Sequence, residues 1–291
     1  MAWWGVTEPI QEYERDETSG WTGSATQLPG YPVPKFGAAM SSEIYSGAID
    51  WDKVYRAFHH PSRIAECILA ELNGGADSVV FSGFAETASF LADKLPVTFV
   101  DYSPSVTARA RERYPKLGEV LTGDVTQLLA LLPATSVAIA CRISAYWNST
   151  EQFRRLANSV LAFTRERILI DFFDRDLVES GHSIAFNSVD GTGKWRFRDF
   201  KESVGVTPPF STATLTVSYS LSDLNVGYED HRSFFRRGVL QQWGRSMFPE
   251  YDVEIGESLL DSDPSFLLKL VRKRAGSQPH AADGTPGTPD G

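Results

Sequence analysis

From Ser78 to Phe173 the chain repeats one pattern: a short apolar run, a polar turn, then a stretch with apolar residues three and four positions apart. SVVFS, VTFVD, GEVLTGD, SVAIAC and RILIDFF read as strands. ETASFLADKL, SPSVTARARERY, VTQLLALL and TEQFRRLANSVLAFT, between them, read as helices. In the last of these, Phe153, Leu156, Val160 and Phe163 share one face. Short apolar strands that alternate with helices belong to a parallel sheet covered on both faces, and right-handed crossovers leave it few topologies. Upstream, DWDKVYRAF sets Trp51, Val54, Tyr55 and Phe58 on one helical stripe; Pro61 breaks it, and PSRIAECILAELNGG restarts with proline in the first turn and ends on glycine.

The period changes after Asp174. SIAFNSV, KWRFRDF, TATLTVSYSL and LNVGYE alternate with period two and are separated by Gly, Pro and Asp, which predicts an antiparallel insertion over 175–230. EDHRSFFRRGVLQQWGRSMF predicts a helix, and DVEIGES with SFLLKLVRK a closing pair of strands. The expected class is α/β: a Rossmann-like, doubly wound, mostly parallel sheet with an antiparallel terminal hairpin and a β-rich insertion after strand five. Residues 1–49, rich in Gly, Pro, Thr and Trp, are expected to form an extension or lid, 50–274 the ligand-binding domain, and 275–291 a disordered tail.

Composition narrows the partners. A chain of 291 residues can bury a large core, and its apolar and charged fractions, 42% and 22%, are those of globular proteins. No run approaches the roughly 18 apolar residues that cross a bilayer, and the first residues lack a basic flank followed by an apolar stretch, so a cytoplasmic protein without membrane contact is expected. The net charge of −9 argues against nucleic acid as a partner. RARERY and RFRDFK are interrupted by acids and read as solvated faces. Cys67 and Cys141 lie in apolar surroundings at no metal or redox spacing, and the five His show no i,i+4 pair, so no metal is expected. A small-molecule substrate is expected, with a homo-oligomer left open.

In open parallel sheets ligands bind beyond the carboxyl ends of the strands, where strand order reverses. The residues just past the predicted strands are Ser82 and Gly83, Asp101, Gly123 and Asp124, Arg142, and Asp171. Asp101 lies 18 residues beyond Gly83, which suits an acid accepting both hydroxyls of a ribose. Asp124, 23 residues further, suits a carboxylate that accepts from an adenine amino group, with Val125 beside it, and Tyr102 suits a ring against the base. A dinucleotide needs a second glycine where its pyrophosphate touches backbone. Here Ala85 holds that place, so a nucleoside without phosphates fits better.

On these residues the chain resembles the class I S-adenosylmethionine-dependent methyltransferases over roughly Trp51 to Arg274. In that family strand one ends in an acid followed by glycines at alternate positions. This chain keeps Gly83 but has Phe81 in place of the acid, and Ala85 and Thr87 in place of glycines. Asp101 and Asp124 match the acids after strands two and three. The resemblance implies S-adenosylmethionine as co-substrate, bound by Ser82, Gly83, Ala85, Glu86, Asp101, Tyr102, Asp124, Val125 and Arg142. Glu86 could contact the ammonium of the methionine portion, although helix N-termini favour acids in any case. The methionine carboxylate has backbone N–H groups, Arg63 or Tyr55 as partners.

The expected reaction is transfer of the methyl group to a small molecule, in specialised metabolism of the antibiotic type. Tyr146, Trp147 and Asn148 lie just past strand four, where the family places acceptors, and His182 is a candidate general base. Because Phe81 cannot hold an ammonium, transfer or cyclisation of the 3-amino-3-carboxypropyl group stays open. So do a non-catalytic binding protein on the same fold and a nicotinamide-dependent oxidoreductase.

Overall fold

A computed structural model describes residues 56–101, 103–123, 137–147, 149–162, 166–188, 191–221, 224–260 and 263–273. The expectations for 1–49, for the helix VTQLLALL, for the tail, and for Tyr102, Asp124, Val125 and Asn148 lie outside the described residues.

The first half alternates as its pattern requires. Helix α1 (Pro61–Leu72) begins on the proline and ends at Asn73, whose left-handed φ of 46° turns the chain before the two glycines. Then follow β1 (Val79–Ser82), α2 (Ala85–Ala92), β2 (Val97–Asp101), α3 (Pro104–Arg113), β3 (Glu119–Thr122), β4 (Val137–Ala140), a single 3-10 turn (Ser144–Tyr146), α4 (Thr150–Ala162) and β5 (Arg167–Phe173). Ser103 caps α3, its hydroxyl accepting from the Val106 amide.

The second half is antiparallel. Strands β6 (Ser183–Ser188), β7 (Gly191–Glu202), β8 (Ser211–Leu221) and β9 (Leu224–Phe234) form one four-stranded sheet. Helix α5 (Arg237–Met247) and the hairpin β10 (Tyr251–Gly256) and β11 (Ser265–Arg272) close the chain. One element differs from expectation: Glu229–Phe234 is strand, not the start of a helix. Its partners on β8 run in register to Ser211, opposite Phe234, so ladder hydrogen bonds override the local helical spacing until Arg236.

The main sheet has the order β10-β11-β5-β4-β1-β2-β3, parallel throughout except for β11, which is antiparallel to both β5 and β10. Successive strand residues alternate between two cores, as the two-residue repeat demands. Val80, Ala138, Ile168 and Ile170 pack with Phe153 and Leu156 of α4 and Leu240 and Trp243 of α5. Val79, Phe81, Phe99 and Ile139 pack with Ile64 and Ile68 of α1 and Leu91 of α2. Each such side chain contributes about 1.5–3 kcal/mol by leaving water. A third core lies on the inner face of the insertion, where Trp195, Phe197, Leu215 and Val217 meet Phe58 and Phe173.

The insertion is tied to the sheet where it leaves and returns. Asp174 bridges to Phe235, and the Phe235 amide donates to the Phe173 carbonyl (2.8 Å). Buried Asp174 accepts from Arg237 Nε at 2.6 Å. Among the described residues no helix is long and apolar enough to cross a membrane.

Candidate functional site

Strand order reverses between β1 and β4, so the carboxyl ends of these strands border the crevice in which such sheets bind ligands. The Cys141 amide donates to the Ser82 carbonyl (2.8 Å), which draws the two strand ends together. Gly83 then turns with φ +152°, and a β-carbon there would meet the Cys141 carbonyl oxygen at 2.7 Å. Only glycine fits this approach. The motif keeps Gly83 because β1 and β4 touch here, whereas Ala85 and Glu86 are already helical and need no such freedom.

Asp101 ends β2 on the same edge. One of its oxygens accepts from the Ser103 amide at 2.8 Å, and among the described residues no side chain engages the carboxylate. Burial pushes its carboxyl up to about 7, with the Ser103 amide pulling the other way. The Gly123 amide donates to the Asp101 carbonyl (2.9 Å), so the end of β3 lies beside that of β2. A half-buried carboxylate with spare acceptor capacity, next to a glycine turn, fits the two hydroxyls of a ribose.

The other expected binding residues are placed as follows. Ser82 is buried at the end of β1, and Phe81 is wholly buried among α1 and α2 side chains, so nothing polar stands at the position of the missing acid. Glu86 pairs with Arg56 (2.7 Å) from the preceding helical turn. The Arg142 backbone adopts a left-handed φ of 65°, and its guanidinium is directed to Asp171 (3.4 Å) and to Asp263. The 3-10 turn holds Tyr146 four residues beyond Arg142. His182 is exposed in the turn before β6, its ring 6.5 Å from that of Phe197.

The structure adds His59, Arg232 and Asp263, to which the sequence reading assigns no role. His59 is buried against Phe84, the residue after Gly83, with ring centres 5.5 Å apart. Its Nε2 is 3.2 Å from the Tyr219 hydroxyl, which also accepts from Trp195 Nε1 at 3.0 Å. Burial first, and then the Arg142 and Arg232 guanidiniums, hold His59 well below the ordinary histidine range. Arg232 lies 5.2 Å from the Phe173 ring and bonds Asp230 at 2.9 Å, and Arg142 lies 5.8 Å from the same ring. Three distant segments meet here: the N-terminal helical turn, the glycine turn and the insertion. One sequence signal pointed this way. A final strand antiparallel to its neighbours begins on the carboxyl edge, so the acid just before it, Asp263, belongs with the strand-end residues.

Among the described residues no group of three or more His, Cys, Asp or Glu is arranged to hold a metal ion. Both cysteines are free, Cys141 buried and Cys67 half-buried.

This topology is the class I S-adenosylmethionine-dependent methyltransferase fold, with a β-rich insertion after strand five. Among solved structures the chain is similar to DesVI from Streptomyces venezuelae, with a TM-score of 0.56 at 13% identity over 80% of this chain and 98% of that one. It is also similar to CalS10, an amino pentose methyltransferase of calicheamicin biosynthesis from Micromonospora echinaspora (TM-score 0.54, 12% identity, 77% and 96%). A third is KedS8, a sugar N-methyltransferase from Streptoalloteichus sp ATCC 53650 (0.51, 16%, 78% and 94%). At these identities the likeness is one of fold. No family model matches the sequence, and no curated protein matches it.

Proposed function

We propose that the protein is an S-adenosylmethionine-dependent methyltransferase acting on a small molecule, in specialised metabolism of the kind in which CalS10 takes part. The observation that carries this reading is Asp101: a half-buried carboxylate engaged by one backbone amide, beside the Gly83 turn at the point where strand order reverses. When bound, the co-substrate supplies an electrophilic methyl group on a sulfonium. Asp101 accepts the ribose hydroxyls, Asp124 the adenine amino group, and Tyr102 and Val125 flank the base. Ser82, Gly83 and Ala85 border the methionine portion through backbone. Tyr146 and Asn148 line the acceptor side. Positioning supplies most of the acceleration in such an in-line displacement.

Phe81 supports a second reading, transfer of the 3-amino-3-carboxypropyl group. With Phe81 in the apolar core and Glu86 held by Arg56, no acid among the described residues at the end of β1 stands open to the methionine ammonium, which suits a rotated tail. Mass spectrometry of the co-product separates the two. S-adenosylhomocysteine means methyl transfer, methylthioadenosine means movement of the tail, and binding without either product means a non-catalytic protein.

A further inference from the structure

The insertion sheet buries one face and turns the other to solvent, and charge is ordered along the solvent face. Ladder pairing sets Lys194 opposite Ser218, Arg196 opposite Thr216, Arg198 opposite Thr214 and Lys201 opposite Thr212. Lys194, Arg196 and Lys201 are exposed, and Arg198 is half-buried. β7 thus carries a file of four cations, the first three repeating every second residue, or about 6.6–6.8 Å. Beside it β8 lays a file of hydroxyls, Thr212, Thr214, Thr216, Ser218 and Ser220.

Asp199, the acid that interrupts RFRDFK in the sequence, does not break the file. A β-bulge between Arg198 and Lys201 takes up one extra residue, with Asp199 at a left-handed φ of 55°. Strict alternation would turn Lys201 inward and Phe200 out. The bulge returns Lys201 to the solvent side and lets the Phe200 ring pack 5.2 Å from that of buried Phe234. Troughs open at both ends of the file. One of about 490 Å³ is lined by Asn187, Lys194, Ser220 and Asn225 over the small residues Ala185 and Gly227. The other, of about 300 Å³, is lined by Asp199, Lys201, Thr214 and His231. Among the described residues Arg198 alone of the four cations is ion-paired, with Glu229. This face is therefore basic on a chain whose net charge is −9.

We propose that the solvent face of the insertion docks an acidic, extended segment of another protein. Carboxylates at alternate positions of an extended chain repeat at the same distance of about 6.6–6.8 Å, so each meets one cation of the file. The hydroxyls of β8 donate to the carboxylate oxygens that remain. The local excess of cations steers such a partner to this side of an otherwise acidic molecule. Other occupants fit less well. A second copy laid face to face about a two-fold axis brings two files of cations together. Single-stranded nucleic acid needs rings on which its bases stack, and among the described residues this face has no aromatic side chain. Nor does it offer a large apolar side chain to enter a membrane surface.

The test is fluorescence anisotropy on the full-length protein at pH 7.5 and low salt, with a labelled 12-residue peptide of alternating Glu and Ser. The matched probes are a peptide of the same composition in two blocks and a thymidine heptamer with six phosphates. The alternating peptide should bind at least about fivefold more tightly than either, and at least about tenfold more weakly once salt is raised to 0.3 M. Lys194→Glu combined with Arg196→Glu should weaken it at least tenfold with an unchanged melting profile, and Lys201→Glu provides a second variant, expected to weaken it at least threefold. Arg109→Glu, the same change of charge at an exposed position of α3, should leave it within twofold. No binding of the alternating peptide, equal or tighter binding of either matched probe, or equal losses in Arg109→Glu and the insertion variants overturns the proposal. A dimer, or binding to phosphatidylserine vesicles, that the double substitution abolishes assigns the face to another occupant and overturns it as well.

Discussion

Gly83 and the Cys141 carbonyl are so close that a β-carbon on the glycine would stand 2.7 Å from that oxygen, with the Phe81 ring 3.1 Å away on another side. The contact joins the two strand ends that frame the nucleoside crevice. It explains why one glycine of the motif is retained while its neighbours are not.

Gly83→Ala should therefore destabilise the fold by about 1–3 kcal/mol, the range for a residue held in a sparsely populated backbone region, with the clash adding to it. Ala85→Gly, two residues on, should cost no more than about 1 kcal/mol of helix propensity. Urea unfolding of the two variants checks the contrast; equal losses would mean that the approach of β1 to β4 is not what fixes the glycine.

Asp101 makes ligand binding depend on pH. Burial pushes its carboxyl up to about 7, and the ionised form, with two charged acceptor oxygens, is the one that best holds two hydroxyls. Affinity for S-adenosylhomocysteine should be level above pH 8 and fall about tenfold per unit below 7, because binding must then expel a proton. Asp101→Ala should weaken binding at least tenfold at pH 8. The same raised value bears on stability with the opposite trend. The folded state holds the proton between roughly pH 4 and 7, so this group's contribution is lost as pH rises through 7. Asp101→Asn should thus melt higher than wild type at pH 8. Titration calorimetry and thermal melts across pH 5.5–8.5 read both effects.

His59 acts in the other direction. It is buried neutral, with its pKa depressed, while in the unfolded chain it protonates near 6.5. Its contribution is present above about pH 6.5 and declines as pH falls below it. His59→Gln should flatten that acid limb. Tyr219→Phe leaves the Trp195 N–H without its acceptor and should cost about 1–3 kcal/mol, with S-adenosylhomocysteine affinity unchanged. Thermal melts from pH 5 to 8 on both variants provide the check.

Asp174 and Arg237 pin the insertion to the main sheet. Arg237→Met leaves a buried carboxylate without its cation. Because the guanidinium is 33% exposed, the expected loss is about 1–3 kcal/mol, below the value for a fully buried pair. Proteolysis within 175–235 should accelerate as well. Unchanged stability and cleavage would show that the backbone bridge at Phe235 suffices.

Much of the fold was legible because buried parallel strands are short apolar runs and their helices carry a separate period. Asp101 was legible as a strand-end acid for the same reason, since it closes the apolar run of β2. Strand β9 ran past its expected end because its register with β8 is a long-range property. The buried charges were hidden for that reason too. His59, Arg142, Tyr219, Arg232 and Asp263 come from five segments, and nothing local in FHHP or TVSYS announces that they meet. Glu86 and Arg142 sit where sequence put them, but each side chain has an ion-pair partner that spacing alone does not reveal.

The proposed activity depends most on a phosphate-free nucleoside seated beside Gly83 and held by Asp101. Thermal unfolding of the wild type and Asp101→Ala, with and without S-adenosylhomocysteine, tests it most directly. At about 100 times the dissociation constant the ligand should stabilise the wild type by about 2.7 kcal/mol, and Asp101→Ala by at least about 1 kcal/mol less at the same concentration. No stabilisation of the wild type, or equal stabilisation of both, would contradict it.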